Sequence, residues 1–138
     1  MPTRRAVTRL RPPLLRSLGR ALRGRCPHCG VGAVLASWWK ISTRCAACGL
    51  RFERGHDEEH DHWLGAYTLN FLVTETVFGV ALLLALLATW PDPPWTLLLV
   101  GGGALMVLVP IAFYPLSKTL WLAIDLAARP PQPEDFAP

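Results

Sequence analysis

The sequence predicts a membrane protein built from a small β zinc ribbon (a treble of short strands) followed by an α-helical transmembrane hairpin. Three observations predict it. Charged residues make up only 17% of the 138 positions and hydrophobic residues 51%, against roughly 25% charged in an ordinary globular domain. Basic charge is gathered at one end, with 12 of the 14 lysines and arginines between Arg4 and Arg54. Two Cys-x-x-Cys-Gly motifs then precede two long apolar runs. A chain of this length with this distribution excludes both wholesale disorder and a single water-soluble core.

A helix needs about 20 largely apolar residues to cross the roughly 30 Å hydrocarbon layer. The first run, residues 63–90, is apolar at 19 of the 27 positions from Leu64 to Trp90 and carries one acid, Glu75. The second, residues 95–117, opens with 22 uncharged residues from Trp95 to Leu116. Between them, Pro91-Asp92-Pro93-Pro94 cannot continue a helix and reads as the turn at 91–94. Trp90 and Trp95 flank it as interfacial aromatics. Because positive charge marks the cytoplasmic side, the 12 basic residues of the head place both termini in the cytoplasm and the proline turn outside. Residues 118–129 are too short to span and are expected to form an interfacial helix or to extend the second helix past the interface. The proline-rich, acidic residues 130–138 are expected to be a disordered tail. A cleaved signal peptide is not expected, since no hydrophobic run precedes the cysteines.

All four cysteines fall within residues 25–55. Cys26-Pro-His-Cys29-Gly and Cys45-Ala-Ala-Cys48-Gly are separated by 15 residues, the C-x2-C-x15–20-C-x2-C spacing of a zinc site. Two intervening residues let a tight turn aim both sulfurs at one point, and Gly30 and Gly49 supply the positive φ such a knuckle needs. Four thiolates close a tetrahedral site without an open position, which points to structural Zn2+ rather than a catalytic metal. Iron in the same four-cysteine site is the chemical alternative. Disulfides fit poorly with a reducing cytoplasm, and a thioredoxin-like role needs one such motif on a βαβ frame. With four sulfurs present, His28 is expected to be exposed. Trp38 and Trp39 are read as ribbon core and membrane-surface contact.

Residues 1–24 form a basic arm, and eight arginines and no acid lie within residues 1–25. From Leu14 onward its apolar residues recur at helical spacing opposite Arg16, Arg20 and Arg23. Such a helix beside a membrane reads as an anchor on anionic lipid. Nucleic-acid binding is the weaker reading, because tethering at the bilayer already accounts for the arginines.

The order CPHCG, Trp38-Trp39-Lys40, CAACGLRFER, WLGAYTLNFLVTE and hairpin resembles the small bacterial zinc-ribbon membrane proteins grouped as a domain of unknown function. The resemblance covers about residues 24–125. It implies two transmembrane helices, a metal-binding head and the bacterial inner membrane, without an established activity. Some relatives are encoded beside haem–copper oxidase genes, which implies a lead toward respiratory-complex assembly.

Two further places carry chemistry. The juxtamembrane segment 56–62 holds three of the four histidines and four of the ten acids. The segment reads first as a solvated polar collar at the membrane face, with His56, His60, His62, Asp57 and Asp61 as a possible second metal site of low affinity. A zinc-protease reading fails because Asp57 stands where that motif needs Glu. Within the first spanning run, Asn70 and Glu75 are polar groups at membrane depth. An acid there is costly unless paired, and antiparallel register sets Glu75 level with Pro110. The expectation is that protonated Glu75 hydrogen-bonds the Met106 carbonyl, which Pro110 leaves free, or meets a neighbouring subunit. The sequence as a whole reads as a non-enzymatic membrane protein that docks or helps assemble a membrane complex, through a protein partner or as a homo-oligomer. Metal handling or rubredoxin-like electron transfer is the alternative.

Overall fold

A computed structural model describes residues 13–53 and 58–136, with residues 58–63 described by their backbone alone. Three helices order the described residues: α1 (Leu14–Ala21), α2 (Glu58–Thr89) and α3 (Trp95–Ala128). A 3-10 turn, Pro133–Phe136, follows them.

At 1.5 Å per residue, the 32 residues of α2 and the 34 of α3 are about 48 and 51 Å long. Both helices are long and apolar enough to cross a membrane, over Leu64–Thr89 and Trp95–Ala128. Their outward faces are bare hydrocarbon, with Leu83, Leu84, Leu87, Leu97 and Leu99 all exposed. A contiguous surface of that kind is untenable in water and ordinary in lipid. The two helices are joined by the short proline turn and pack antiparallel, α2 against α3.

Three contacts set the register of the pair. Phe78 lies over Gly102, where a β-carbon would come within 2.9 Å of Phe78 Cε2. Trp121 lies over Gly65 in the same way. Between them the Asn70 amide donates to the Pro110 carbonyl at 3.0 Å. Here the structure removes the first of the two expectations for Glu75, the bond to the Met106 carbonyl. Asn70 and Thr74 are buried against α3, whereas Glu75 is exposed and does not reach the Met106 carbonyl. Five residues beyond Asn70 is about 140° round the helix, so a face that holds 70 and 74 turns 75 outward.

For residues 118–129 the structure takes the second of the two expected courses. Rather than giving way to a separate interfacial helix, α3 runs unbroken to Ala128. Tyr114 lies about 29 Å along α3 from Trp95, so the residues after it project beyond one bilayer thickness. That projection is the floor of the head. Thr119, Leu122, Ala123 and Leu126 recur at i, i+3, i+4, i+7 and are all buried. Leu122 and Leu126 form one core with Cys26, Val34, Ile41, Cys45, Leu50 and Phe52. Full burial of each leucine contributes about 1.5–3 kcal/mol. The helix is amphipathic, and its apolar stripe faces protein.

The tail departs from expectation. Residues 133–136 form a turn closed by the Asp135 amide donating to the Gln132 carbonyl and the Gln132 amide donating to Asp135 Oδ2. The Arg51 amide donates to the Asp135 carbonyl at 2.9 Å, and Phe136 packs on the head core. The expected disordered tail is therefore docked as far as Phe136.

The ribbon forms as turns with isolated antiparallel bridges: Arg25 with Ala33, Leu35 with Ile41, and Arg44 with Arg51. No strand longer than a single bridge occurs among the described residues, so the expected treble of strands is reduced to three bridge points.

Candidate metal centre

Each cysteine pair sits on a turn built from its own backbone. In the first, the Gly30 amide donates to the Cys26 carbonyl at 2.8 Å and the Cys26 amide to the Gly32 carbonyl at 2.7 Å. In the second, the Gly49 amide donates to the Cys45 carbonyl and the Cys45 amide to the Leu50 carbonyl, both at 2.9 Å. Gly30 and Gly49 have φ of 79° and 75°, the left-handed region that only glycine adopts without strain.

The two turns bring the four sulfurs together. Cys29 and Cys45 are 3.6 Å apart, Cys26 and Cys48 are 4.0 Å apart, and all four lie within 4.8 Å of one another. Sulfurs about 2.3 Å from a central ion at tetrahedral corners are separated by about 3.8 Å, so the arrangement fits a thiolate-bound metal ion. The cysteines are free thiols, not disulfides. Cys26 and Cys45 are buried, while Cys29 and Cys48 form the half-exposed edge.

As thiols, Cys26, Cys29 and Cys48 are electrically unequal. Burial pushes Cys26 far above the ordinary thiol value and Cys48 up to about 11. Cys29 is also opposed by burial, yet the amides of Gly32 and Val31 and the sulfurs of Cys45 and Cys48 bring it down to about 7. The Val31 amide donates to Cys29 Sγ at 3.4 Å. A bound cation would supply the charge that Cys26 and Cys48 need to ionise.

Several contributors were not legible as site residues. Arg20 is not a free arm charge. Its Nη1 donates to the carbonyls of Pro27 at 3.1 Å and His28 at 2.6 Å, and Ser17 Oγ lies 3.4 Å from the Pro27 carbonyl. Arg44 Nη1 donates to the Gly49 carbonyl at 3.5 Å on the other knuckle. Four thiolates and a dication leave a net charge of about −2, so one arginine fastened to each knuckle offsets it. Gly32 is required by space, since a β-carbon there would overlap Cys45 Sγ. Nothing in the spacing of the cysteines signals any of these.

The helix α1 that carries Arg20 buries Ser17 and Ala21 and leaves Leu14, Leu15 and Leu22 exposed. It ends in a Schellman pattern, with the Arg25 amide donating to the Arg20 carbonyl and Gly24 at φ 66°. His28 is half-buried, which corrects its expected exposure. Its ring lies 5.3 Å from that of Phe136, and its buried Nδ1 has no hydrogen-bond partner among the described residues. Burial and then Arg20 lower its pKa, which keeps the imidazole neutral. The proposed second metal site cannot be placed in this way. His56 and Asp57 lie outside the described residues, and the side chains of His60, Asp61 and His62 lie outside them too.

The family described as protein of unknown function (DUF983) matches residues 35–125, from the second half of the head to the part of α3 beneath it. The chain belongs to that family. The match begins after Cys26 and Cys29, so the first knuckle lies outside it. No curated protein and no solved structure matches the chain.

Proposed function

We propose that this member of the DUF983 family is a non-enzymatic protein of the bacterial inner membrane. Its four-cysteine head, loaded with Zn2+ and facing the cytoplasm, docks a partner during assembly of a membrane complex. The observation that carries this reading is the seating of the metal centre. Cys26 and Cys45 share one core with Leu122 and Leu126 on the direct continuation of α3. A metal closed by four sulfurs has no position for a substrate. Rigidly mounted on a helix that emerges from the bilayer, it holds a protein surface at a fixed height and orientation. The basic charge of the head supports the cytoplasmic orientation.

A second reading is supported by one specific observation. Cys29 and Cys48 form a half-exposed edge, and an amide donates to Cys29 Sγ. Hydrogen bonds to sulfur and partial exposure are the features that tune iron–thiolate centres for electron transfer. Metal content and the visible spectrum of detergent-purified protein, for wild type and Cys45→Ser, decide between the two. One colourless zinc per chain, lost in the variant, supports the docking protein. Iron–thiolate bands move the protein to electron transfer. Purification from membranes that returns no protein other than this chain counts against docking.

A further inference from the structure

The loop between the knuckles ends in a tight turn, closed by the amides of Ala36 and Ser37 donating to the Lys40 carbonyl at 2.9 and 3.2 Å. Trp38 and Trp39 stand at its tip, 52% and 61% exposed, outside the head core. Two exposed indoles side by side are costly in water. The place of this tip against α3 is what gives it meaning. Trp39 packs against Tyr114 with ring centroids 5.1 Å apart and the ring planes tilted by 50°. Lys118 Nζ donates to the Trp39 carbonyl at 2.5 Å and sits 4.5 Å from the centre of the Tyr114 ring.

Tyr114 lies about 29 Å along α3 from Trp95, one hydrocarbon thickness from the opposite interface. The loop tip is therefore held at the level where the spanning part of α3 ends. Lysines accompany it: Lys40 is exposed within the tip, and Lys118 lies one turn beyond Tyr114. The charged side chains of the tip and of the turn of α3 beside it are both lysines, Lys40 and Lys118, which suit anionic headgroups.

We propose that the Trp38–Trp39 tip is a membrane-immersed foot of the head. Both indoles lie in the headgroup–acyl boundary of the bilayer that α2 and α3 cross, and the Lys40 and Lys118 ammonium groups reach lipid phosphates. Tryptophan belongs at that depth, with its ring in the acyl boundary and its N–H toward water. Lysine stems lie along apolar surface while their charge stays among the headgroups. With α3 beneath the core and the tip in the lipid, the metal centre is fixed to the membrane at two points. This inference rests on the reading of α2 and α3 as transmembrane, so the test carries a separate control for that reading.

The full chain is prepared with the photo-reactive benzoylphenylalanine in place of Trp38 or, separately, of Trp95. It is reconstituted in vesicles of phosphatidylcholine and phosphatidylglycerol, irradiated, and weighed by intact-mass spectrometry. Lipid adducts at both positions are expected. Adducts at position 95 alone overturn the foot and leave the hairpin reading standing. Adducts at neither overturn both. A cross-link from position 38 to a second polypeptide instead of lipid overturns the foot in favour of a protein contact. Should the replacement at 38 alter helicity or metal content, Trp38→Phe provides the second measurement. Quenching of tryptophan emission by brominated lipid is expected to fall in that variant, and unchanged quenching overturns the proposal.

Discussion

The indole of Trp121 covers Gly65 so closely that a β-carbon at position 65 would overlap the ring. This contact ties the start of the spanning part of α2 to the stretch of α3 beneath the cysteine head. A methyl group at 65 cannot be accommodated by a small adjustment, because both groups sit on long packed helices. Gly65→Ala is therefore expected to destabilise the helix pair by about 1–3 kcal/mol, as overpacking does. Trp121→Leu, which vacates the space, should make the second substitution nearly harmless. Thermal unfolding of the two single variants and the double in detergent checks this: a strongly non-additive cycle is expected, and additive losses would mean that the two residues do not meet.

Gly32 is the corresponding residue inside the metal centre. Its conformation is open to any residue, but the space beside it is filled by Cys45 Sγ. Gly32→Ala displaces that sulfur from the position set by the second knuckle, and the head keeps all four ligands in a distorted array. Metal affinity is expected to fall by about 10–100-fold, the range seen when groups that orient ligands are changed. Competition with a zinc-binding chelator measures it. The next residue, Ala33, already carries a β-carbon and bridges to Arg25, so the steric limit falls on position 32.

The unequal thiols predict a pH profile for the metal-free protein. Cys29 is held down to about 7 against an ordinary value of 9.0. Between pH 7 and 9 the unfolded chain binds one more proton there than the folded chain, so stability rises with pH. Cys48, held up to about 11, and Cys26, held higher, reverse the sign. Above pH 9 the folded chain keeps protons that the unfolded chain has lost, and stability falls. Chelator-treated protein should accordingly melt highest near pH 9. Metal-loaded protein should lack this maximum, because its thiolates are already deprotonated. Melting curves of both forms from pH 7 to 11 compare them directly.

What was legible in the sequence was local. Cysteine spacing, the glycine after each pair, and the length and polarity of the apolar runs are each decided within a few residues, and the four sulfurs do converge. What escaped was non-local. Leu122 and Leu126 lie in a segment too short to span, and only the head folded over them shows that their stripe faces protein rather than lipid. Phe136 is a single aromatic in a proline-rich tail, and its partner His28 is more than a hundred residues away. Asn70 and Glu75 are both polar groups in one helix, and helix rotation alone decides which of them meets α3.

That rotation carries the last prediction. Asn70 is buried and donates to Pro110, although its Oδ1 has no partner among the described residues. Replacing it with leucine removes an interhelical hydrogen bond within the membrane, for which about 0.6–1.7 kcal/mol is the measured scale. Glu75 is exposed, as are Phe71, Leu72 and Val80. An acidic side chain at the centre of a spanning helix costs about 2.5–3.5 kcal/mol to insert, and no contact among the described residues offsets it. Asn70→Leu should therefore lower the stability of the hairpin, and Glu75→Leu should leave it unchanged or raise it. Unfolding of both variants in bicelles, with the mass of the assembly followed in parallel, tests the contrast. A loss of stability in Glu75→Leu without a change in assembly mass would show that the carboxyl has a partner within its own chain after all. If the variant instead converts a larger assembly to the single chain, the outward face of α2 is where a second polypeptide binds.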